Sequence, residues 1–367
     1  MLKKRMRICI ICSGFSSIYG GLETSAFELS KRWATQGHEV LIISGRGEKT
    51  GPVQVRLIKL PFIPRKIFQH VPLLSKLLPS SEFEALSFLP FTLLYLLGKN
   101  FDVILSNQLV ETLPALILNI PSVMISQAPL PLRFNAFKKV DSVIVNDFQS
   151  HAALRRYGIG TELILNGANN PLQEANSEKL RTRYKIPKEA KVFLTVARLD
   201  KNKRVNLLID AFERIQQDAV LIIVGDGSEL LALEKQASLI KSKNRVFFVK
   251  PMAHEQLEQF YQICDVFTLP SKLEGLPLVL IEALRFGKPV VTNATPEKRF
   301  ILGKFGVFTD VENPEDYSES LLRATLVKID VTSSEYLFHM EKFSWTQISQ
   351  NYIRVFTEIL STHGNRP

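Results

Sequence analysis

Cysteine is scarce, with three in 367 residues. That argues against a disulfide-held scaffold and makes a reducing cytosol the expected compartment. Cys9 and Cys12 form a CxxC inside RICIICSG, but a separation of three puts them on opposite faces of a strand. No second Cys/His pair accompanies them, so a metal site is rejected. Long apolar runs are also missing. The longest, Ala85–Leu97, covers 13 residues and is interrupted by Pro90, short of the roughly 20 that span a bilayer. The start MLKKRMRICIICSG is basic then apolar, like a signal peptide, yet its apolar part is only strand length and no small-residue cleavage site follows. It is expected to be the first strand. Neither a GxGxxG fingerprint nor a DxD pair occurs, and there are no low-complexity segments or short-period repeats.

What is present describes a globular chain of about two domains, with 46% hydrophobic and 22% charged residues. The net charge of +10 is uneven. Residues 1–170 hold 19 Lys/Arg against 11 Asp/Glu, and residues 171–367 hold 27 against 25. A basic first half suits an anionic partner, such as acidic lipid headgroups or a phosphorylated acceptor; solubility alone is the plainer account. The basic residues are dispersed and carry no nucleic-acid signature, so no nucleic-acid partner is expected.

Near-continuous Ile/Val strands alternate with helices throughout, which predicts α/β architecture with parallel sheets covered on both faces. In the first half, strands are expected at Arg7–Cys12, Glu39–Ser44, Val53–Leu60, Asp102–Ser106, Ser122–Ser126, Ser142–Asn146 and Thr161–Leu165. Helices are expected over about Leu22–Gln36, Glu111–Leu118 and Phe148–Tyr157. Phe62–Lys99 interrupts the pattern, rich in Leu, Phe and Pro and carrying Arg65, Lys66, His70 and Lys76. It reads equally as a surface reaching an acceptor or membrane and as a helix pair covering the sheet. The polar stretch Asn166–Lys191 is the expected boundary, dividing an N-terminal domain, 1–170, from a C-terminal one, 171–343. The second half predicts strands at Val192–Val196, Ala219–Val224, Val246–Val249, Val266–Leu269 and Phe305–Phe308, and a helix over Lys203–Gln216. Ligands of such sheets bind at the carboxyl ends of the strands.

The most informative stretch is LPSKLEGLPLVLIEALRFGKPVV, Leu269–Val291. Pro277 is expected to open a helix, Leu278, Ile281 and Leu284 to pack it, and Gly287 to end it. Glu274 then lies in the loop and Glu282 just over a turn inside, two carboxylates facing one helix N-terminus. Gly275 leaves room for a hydroxyl-rich ligand. By spacing alone, a capping Glu274 and a solvated Glu282 fit equally well. At other strand ends, Arg198 and Lys203 in VARLDKNKR supply a guanidinium fork and a point charge suited to a diphosphate, or simply solvated charges. Gly225 and Gly227 either line the same cleft or make a turn. Gly20, Gly21 and Glu23 open a helix where backbone amides can approach a phosphate.

Together these sites resemble the family 4 glycosyltransferases, retaining enzymes of the GT-B fold with two Rossmann-like, doubly wound parallel-sheet domains facing a central cleft. The matching elements are GGLE at 20–23, GHEV at 37–40, NG at 166–167, RLDKNK at 198–203, VGDGSE at 224–229 and the Glu-x7-Glu of Glu274–Glu282. The similarity is strong over Val192–Val291 and weaker in the first half. The tail at Phe343–Trp345 resembles the family's last helix, here about 344–360, which returns to the first domain. By this resemblance Arg198, Lys203 and Glu274 are the catalytic residues, the two cations binding the donor diphosphate. Glu282 would hold the ribose, and Glu274 with the Gly275 and Leu276 amides the sugar hydroxyls. The Gly21 amide would touch the phosphate, and Lys250 and Met252 would frame the base. Many relatives carry a His where Gln127 stands, and Asn107–Gln108 occupy another frequent His position; Gln hydrogen-bonds a hydroxyl but carries no proton.

The implied function is transfer of a hexose from a nucleotide sugar, such as a UDP- or GDP-hexose, to a glycan or lipid-linked acceptor in cell-surface polysaccharide synthesis. No metal or other cofactor is expected, since cationic side chains replace it. The enzyme would be cytoplasmic, with an anionic membrane surface as a further partner of its basic half. A GT-B-like protein that binds nucleotide sugar without turnover is the alternative. An NAD-dependent oxidoreductase is disfavoured by the missing GxGxxG.

Overall fold

The computed structural model describes residues 5–16, 21–63, 80–126, 139–168, 177–242, 244–252 and 254–363. The chain divides into two compact units, Met1–Gly167 with Ser344–Pro367, and Ala168–Phe343. Within the second unit, the Ala168 amide donates to the Phe343 carbonyl at 3.2 Å, so the chain enters and leaves that unit side by side.

In the first unit β1 (Arg7–Ile11), β2 (Glu39–Gly45), β3 (Arg56–Leu60), β4 (Val103–Ser106), β5 (Ser122–Ser126), β6 (Ser142–Val145) and β7 (Thr161–Leu163) form one parallel sheet, ordered β3-β2-β1-β4-β5-β6-β7. The continuous apolar strands read from the sequence fit this double coverage. Alternation along β1 is visible in its two cores: Ile8, Ile10 and Cys12 pack with Trp33 on one face, while Cys9 and Ile11 pack with Phe88 and Leu96 on the other. The two thiols therefore point apart.

Helix Gly21–Thr35 buries Ala26, Leu29 and Trp33 along one stripe. It stops at Gly37, whose φ of +91° favours glycine. His38 follows, buried, with its Nδ1 accepting from the Met6 amide at 3.1 Å, and the Glu39 amide donates to the Met6 carbonyl. The GHEV resemblance thus has a structural cause: it stops a helix and starts a strand. The C-terminal helix, Trp345–His363, packs in this unit, with Tyr352 and Phe356 edge-on to Trp33 at 5.9 and 5.3 Å and the Trp33 indole donating to the Ser349 carbonyl.

The second unit holds β8 (Lys191–Val196), β9 (Ala219–Val224), β10 (Arg245–Val249), β11 (Val266–Leu269), β12 (Val290–Thr292) and β13 (Gly306–Phe308), parallel and ordered β10-β9-β8-β11-β12-β13. Strand order reverses between β1 and β4 in one sheet and between β8 and β11 in the other, and each reversal opens a crevice at the carboxyl ends.

Several expectations need correction. The strand expected from Val53 begins at Arg56, because Gln54 adopts φ +73° and breaks the extension. The helix expected over Lys203–Gln216 is a 3-10 turn, Lys201–Lys203, then a separate helix, Val205–Glu213, parted by a left-handed Arg204 at φ +52°. Pro277 caps the Leu278–Arg285 helix from outside, with ψ 88°, and does not form its first residue. The buried stripe of that helix is Leu280, Ile281, Ala283 and Leu284, with Leu278 only half-buried. Short helices Pro296–Leu302 and Ser334–Glu341 occupy stretches where no element was expected. Arg65, Lys66, His70 and Lys76 lie outside the described residues. Among the described residues of that segment, Ser80–Leu96 form a helix that runs through Pro90.

Truncating Trp33 should remove the contact that joins the first and last helices of the first unit. We expect Trp33→Ala to destabilise that unit by about 3–5 kcal/mol, seen in calorimetry as an earlier transition while that of the second unit stays in place.

Candidate active site

The crevice at the β8/β11 reversal is built in large part by five residues of the loop after β8: Arg198, Asp200, Asn202, Lys203 and Arg204. Asp200 accepts from the amides of Asn202 and Lys203 at 3.0 and 3.3 Å and so caps the 3-10 turn. Its other oxygen accepts from Arg198 Nε at 3.0 Å. Asn202 grips the loop after β11: Oδ1 accepts from the Leu273 amide at 3.1 Å, Nδ2 donates to the Leu273 carbonyl at 2.7 Å, and the Asn202 carbonyl accepts from the Lys272 amide at 2.9 Å. Arg204 donates from Nε to the Pro270 carbonyl at 2.8 Å and pairs with Glu312.

Between these ties Lys203 Nζ meets both oxygens of Glu274, at 2.7 and 2.8 Å, with both side chains largely buried. Arg198 differs. Its side chain is 79% exposed, so most of its guanidinium is available to an incoming anion. Glu282, half-buried on helix Leu278–Arg285, accepts from the Tyr261 hydroxyl at 2.8 Å. Tyr261 is fully buried and stacked on Phe286, and burial beside the Glu282 charge pushes its phenol well above the usual range. Tyr261 thus stays protonated and serves as a fixed donor that orients the Glu282 carboxylate.

The glycines of the GDG turn have a packing role. A Cβ on Gly225 would lie 1.9 Å from the Ala197 carbonyl oxygen, and one on Gly227 2.3 Å from that of Leu199. The Leu199 amide donates to the Asp226 carbonyl at 2.8 Å, extending β8–β9 pairing past the strand ends. Lys250, exposed, and Met252, half-buried, follow β10, while Gly275 is exposed and Leu276 half-buried in the Glu274 loop.

In the first unit, Gly20 and Gln127 lie outside the described residues, and Gly21 begins its helix. Glu23 is buried at 7% exposure in the first helical turn. Asn166, of the NG pair, is buried and accepts from Ser25 Oγ at 2.9 Å.

Sequence reasoning missed two groups. Glu111 and Glu84 are buried around Ser13 at the end of β1: the Ser13 amide donates to Glu111 at 2.7 Å and its hydroxyl to Glu84 at 3.3 Å. Burial raises the Glu111 carboxyl, opposed by the amides that bind it. Lys298, on the unanticipated helix Pro296–Leu302, is fully buried near Glu274, Arg204 and Lys203. It stands between Glu297 and Arg299 in TPEKRF, so nothing in the local sequence sets it apart.

Two doubly wound parallel sheets in one chain are the architecture of the GT-B class of glycosyltransferases. The family model described as Glycosyl transferases group 1 matches residues 176–327, and that described as Glycosyltransferase Family 4 matches residues 19–170. The chain belongs to this family. It is 30% identical over 210 residues to the D-inositol 3-phosphate glycosyltransferase of Corynebacterium jeikeium, covering 53% of this chain and 50% of that protein. It is 23% identical over 198 residues to the O-antigen biosynthesis glycosyltransferase WclY of Escherichia coli, covering 54% and 55%. The chain thus spans about half the length of the curated relatives it matches. Among solved structures, the sucrose-phosphate synthase of Thermosynechococcus elongatus superposes with a TM-score of 0.73 at 20% identity, over 98% of this chain and 100% of that one. Anabaena HepE, in complex with UDP and glucose, gives 0.71 at 18% identity, over 96% and 100%. At these identities the likeness speaks to the fold.

The ion pair makes a direct stability prediction. In a double-mutant cycle of Lys203→Met and Glu274→Gln followed by chemical denaturation, we expect a coupling of about 1–3 kcal/mol. A coupling near zero would remove the pair from the framework of the site.

Proposed function

We propose that the protein is a retaining hexosyltransferase that moves a sugar from a nucleotide diphosphate donor to a glycan or lipid-linked acceptor in cell-surface polysaccharide synthesis. The observation that carries this reading is the Lys203–Glu274 pair beside an exposed Arg198 at the switch point of the second sheet. Breaking the anomeric bond leaves negative charge on the departing diphosphate and positive charge on the sugar ring. Arg198 and Lys203 stabilise the former as fixed cations that need no reorganisation. Glu274, aligned by Lys203, hydrogen-bonds the sugar hydroxyls together with the amides of Gly275 and Leu276. Glu282, oriented by Tyr261, holds the ribose, and the backbone near Lys250 and Met252 frames the base. The leaving phosphate oxygen accepts the acceptor's proton on the face it departs from, which preserves anomeric configuration without a protein nucleophile. Diphosphate binding in this reading rests on side-chain cations, with no cofactor.

HepE, described with UDP and glucose, supports the donor class, and WclY, described with O-antigen biosynthesis, supports the polysaccharide setting. Thermal shift with UDP-, GDP- and ADP-sugars should identify the donor, because a ligand that binds the native state raises Tm. Arg198→Ala and Glu274→Ala should each lower kcat/KM at least about a hundredfold, and product NMR should show retention. Unchanged turnover in both variants would misplace the site. Donor binding without turnover on any acceptor would favour the alternative, a nucleotide-sugar-binding protein without catalysis.

The acceptor is proposed to be met at an anionic membrane face. No described helix is long and apolar enough to cross a membrane. On helix Ser80–Leu96, however, Leu86, Phe91 and Leu94 are 39%, 42% and 70% exposed on one side, while Ala85, Phe88 and Leu96 are buried on the other. Such an apolar face in the basic half suits a lipid surface. Salt-sensitive co-sedimentation with anionic vesicles, reduced by Leu94→Glu, is the expected result; no salt-sensitive binding would refute it.

A further inference from the structure

Lys298 is a lysine with no exposed surface in the second unit. Its side chain is fully buried, and its Nζ faces three acceptors: the carbonyls of Leu269 at 3.3 Å and Ser271 at 2.8 Å, and Asn293 Oδ1 at 2.7 Å. Leu269 ends β11, Ser271 begins the Glu274 loop, and Asn293 follows β12. An ammonium has three N–H donors and satisfies all three oxygens. A neutral amine has two, so deprotonation turns its lone pair toward an acceptor and breaks one tie.

We infer that Lys298 is the positioning residue of the proposed donor site: its ammonium clamps the end of β11, the Glu274 loop and the segment after β12 into one frame, and it gains a proton when a diphosphate arrives beside Lys203. This rests on the donor-site reading above. The charged groups facing Lys298 are Glu274 on the loop, Lys203 on the 3-10 turn, Arg204 before the next helix, and Glu297 on its own helix. Burial lowers the Lys298 ammonium to about 7; the Arg204 and Lys203 charges push it the same way, while Glu274 and Glu297 oppose. The free site is therefore poised between protonated and neutral near physiological pH. A bound diphosphate offsets the neighbouring cations and favours the ammonium. Binding is then linked to proton uptake. Its favourable contribution is complete below the free-state midpoint and is lost as pH rises through the bound-state midpoint.

Asn202, Arg204 and Lys298 reach the loop from different sides. Asn202 holds Lys272 and Leu273, Arg204 holds Pro270, and Lys298 holds Ser271. Among these ties only the one from Lys298 can be released by loss of a proton in the neutral range, which makes it the variable element of the loop.

The test is calorimetric titration of the full chain with UDP-glucose, GDP-mannose and ADP-glucose, in two buffers of different ionisation enthalpy, from about pH 6 to about pH 9. Sugar nucleotides are used because a terminal phosphate would itself titrate near 6. For whichever probe binds, the wild type should take up a fraction of a proton near neutrality. Its affinity should fall by about tenfold across the range if the ligand raises the Lys298 midpoint by about one unit. Lys298→Met, similar in volume, should bind weakly at every pH, with no uptake from this group. Asn293→Asp, at a half-buried position, adds a negative charge beside Nζ and should move the wild-type midpoint upward, a displacement that a merely structural role would not produce. Proton uptake and pH dependence unchanged in both variants would overturn the inference while leaving the donor site standing. Failure of the wild type to bind any probe would overturn both.

Discussion

The second unit depends on one constraint: the loops after β8 and β11 must hold charged groups against each other although neither strand can aim them. β8 and β11 end at Val196 and Leu269, and beyond them the two loops are joined mostly by side chains. Asn202 does this most directly, with both ends of its amide bonded to Leu273 as a neighbouring strand would be. Arg204 takes a left-handed conformation, which costs of order 1 kcal/mol for a non-glycine residue. In return its guanidinium reaches both Pro270 and Glu312. Lys203, held between them by the Asp200 cap, has little freedom but to meet Glu274. The pair is therefore a consequence of the loop framework as much as of its own attraction.

Charge is distributed differently at the two switch points. The crevice of the second sheet gathers Lys203, Arg204 and Lys298 near Glu274, with Arg198 held on Asp200 in the same loop as Lys203. The end of β1 in the first sheet gathers buried carboxylates, Glu23, Glu84 and Glu111, near Cys12 and Ser13. Yet by sequence the first half is the more basic. Net charge reports the surface, where solvated lysines and arginines accumulate. It says little about a crevice, where a few desolvated groups dominate the local field.

That contrast explains which parts of the molecule were legible in the sequence. The strands were, because burial on both faces writes continuous apolar runs; β5, β9 and β11 fall on the residues expected for them. The opposed thiols of Cys9 and Cys12 were legible too, from periodicity alone. The 3-10 turn was not, because Lys201–Lys203 and Val205–Glu213 form one amphipathic stretch, and only long-range bonds from Arg204 force the break. Asn202 and Lys298 were invisible for the same reason. Their partners lie 71 residues away in the first case and on two separate strand ends in the second, so no local pattern records them. The short helix carrying Lys298 has only seven residues, too few to establish a period.

The same reasoning separates motif residues by cause. Gly37 and His38 stop a helix and start a strand, Asn166 anchors Ser25, and Gly225 and Gly227 admit the backbone of Ala197 and Leu199. Each is accounted for by the fold, and none needs a ligand to explain it. Arg198 is different: a guanidinium 79% exposed after a strand end, tethered among the described residues through Nε to Asp200, contributes little to packing. Glu274 and Lys203 are different in another way. Holding an ion pair away from water carries a desolvation penalty that an apolar pair at the same positions would avoid. Residues whose chemistry the fold does not require, gathered where the loops after β8 and β11 meet, are what support the proposal that this crevice takes the donor.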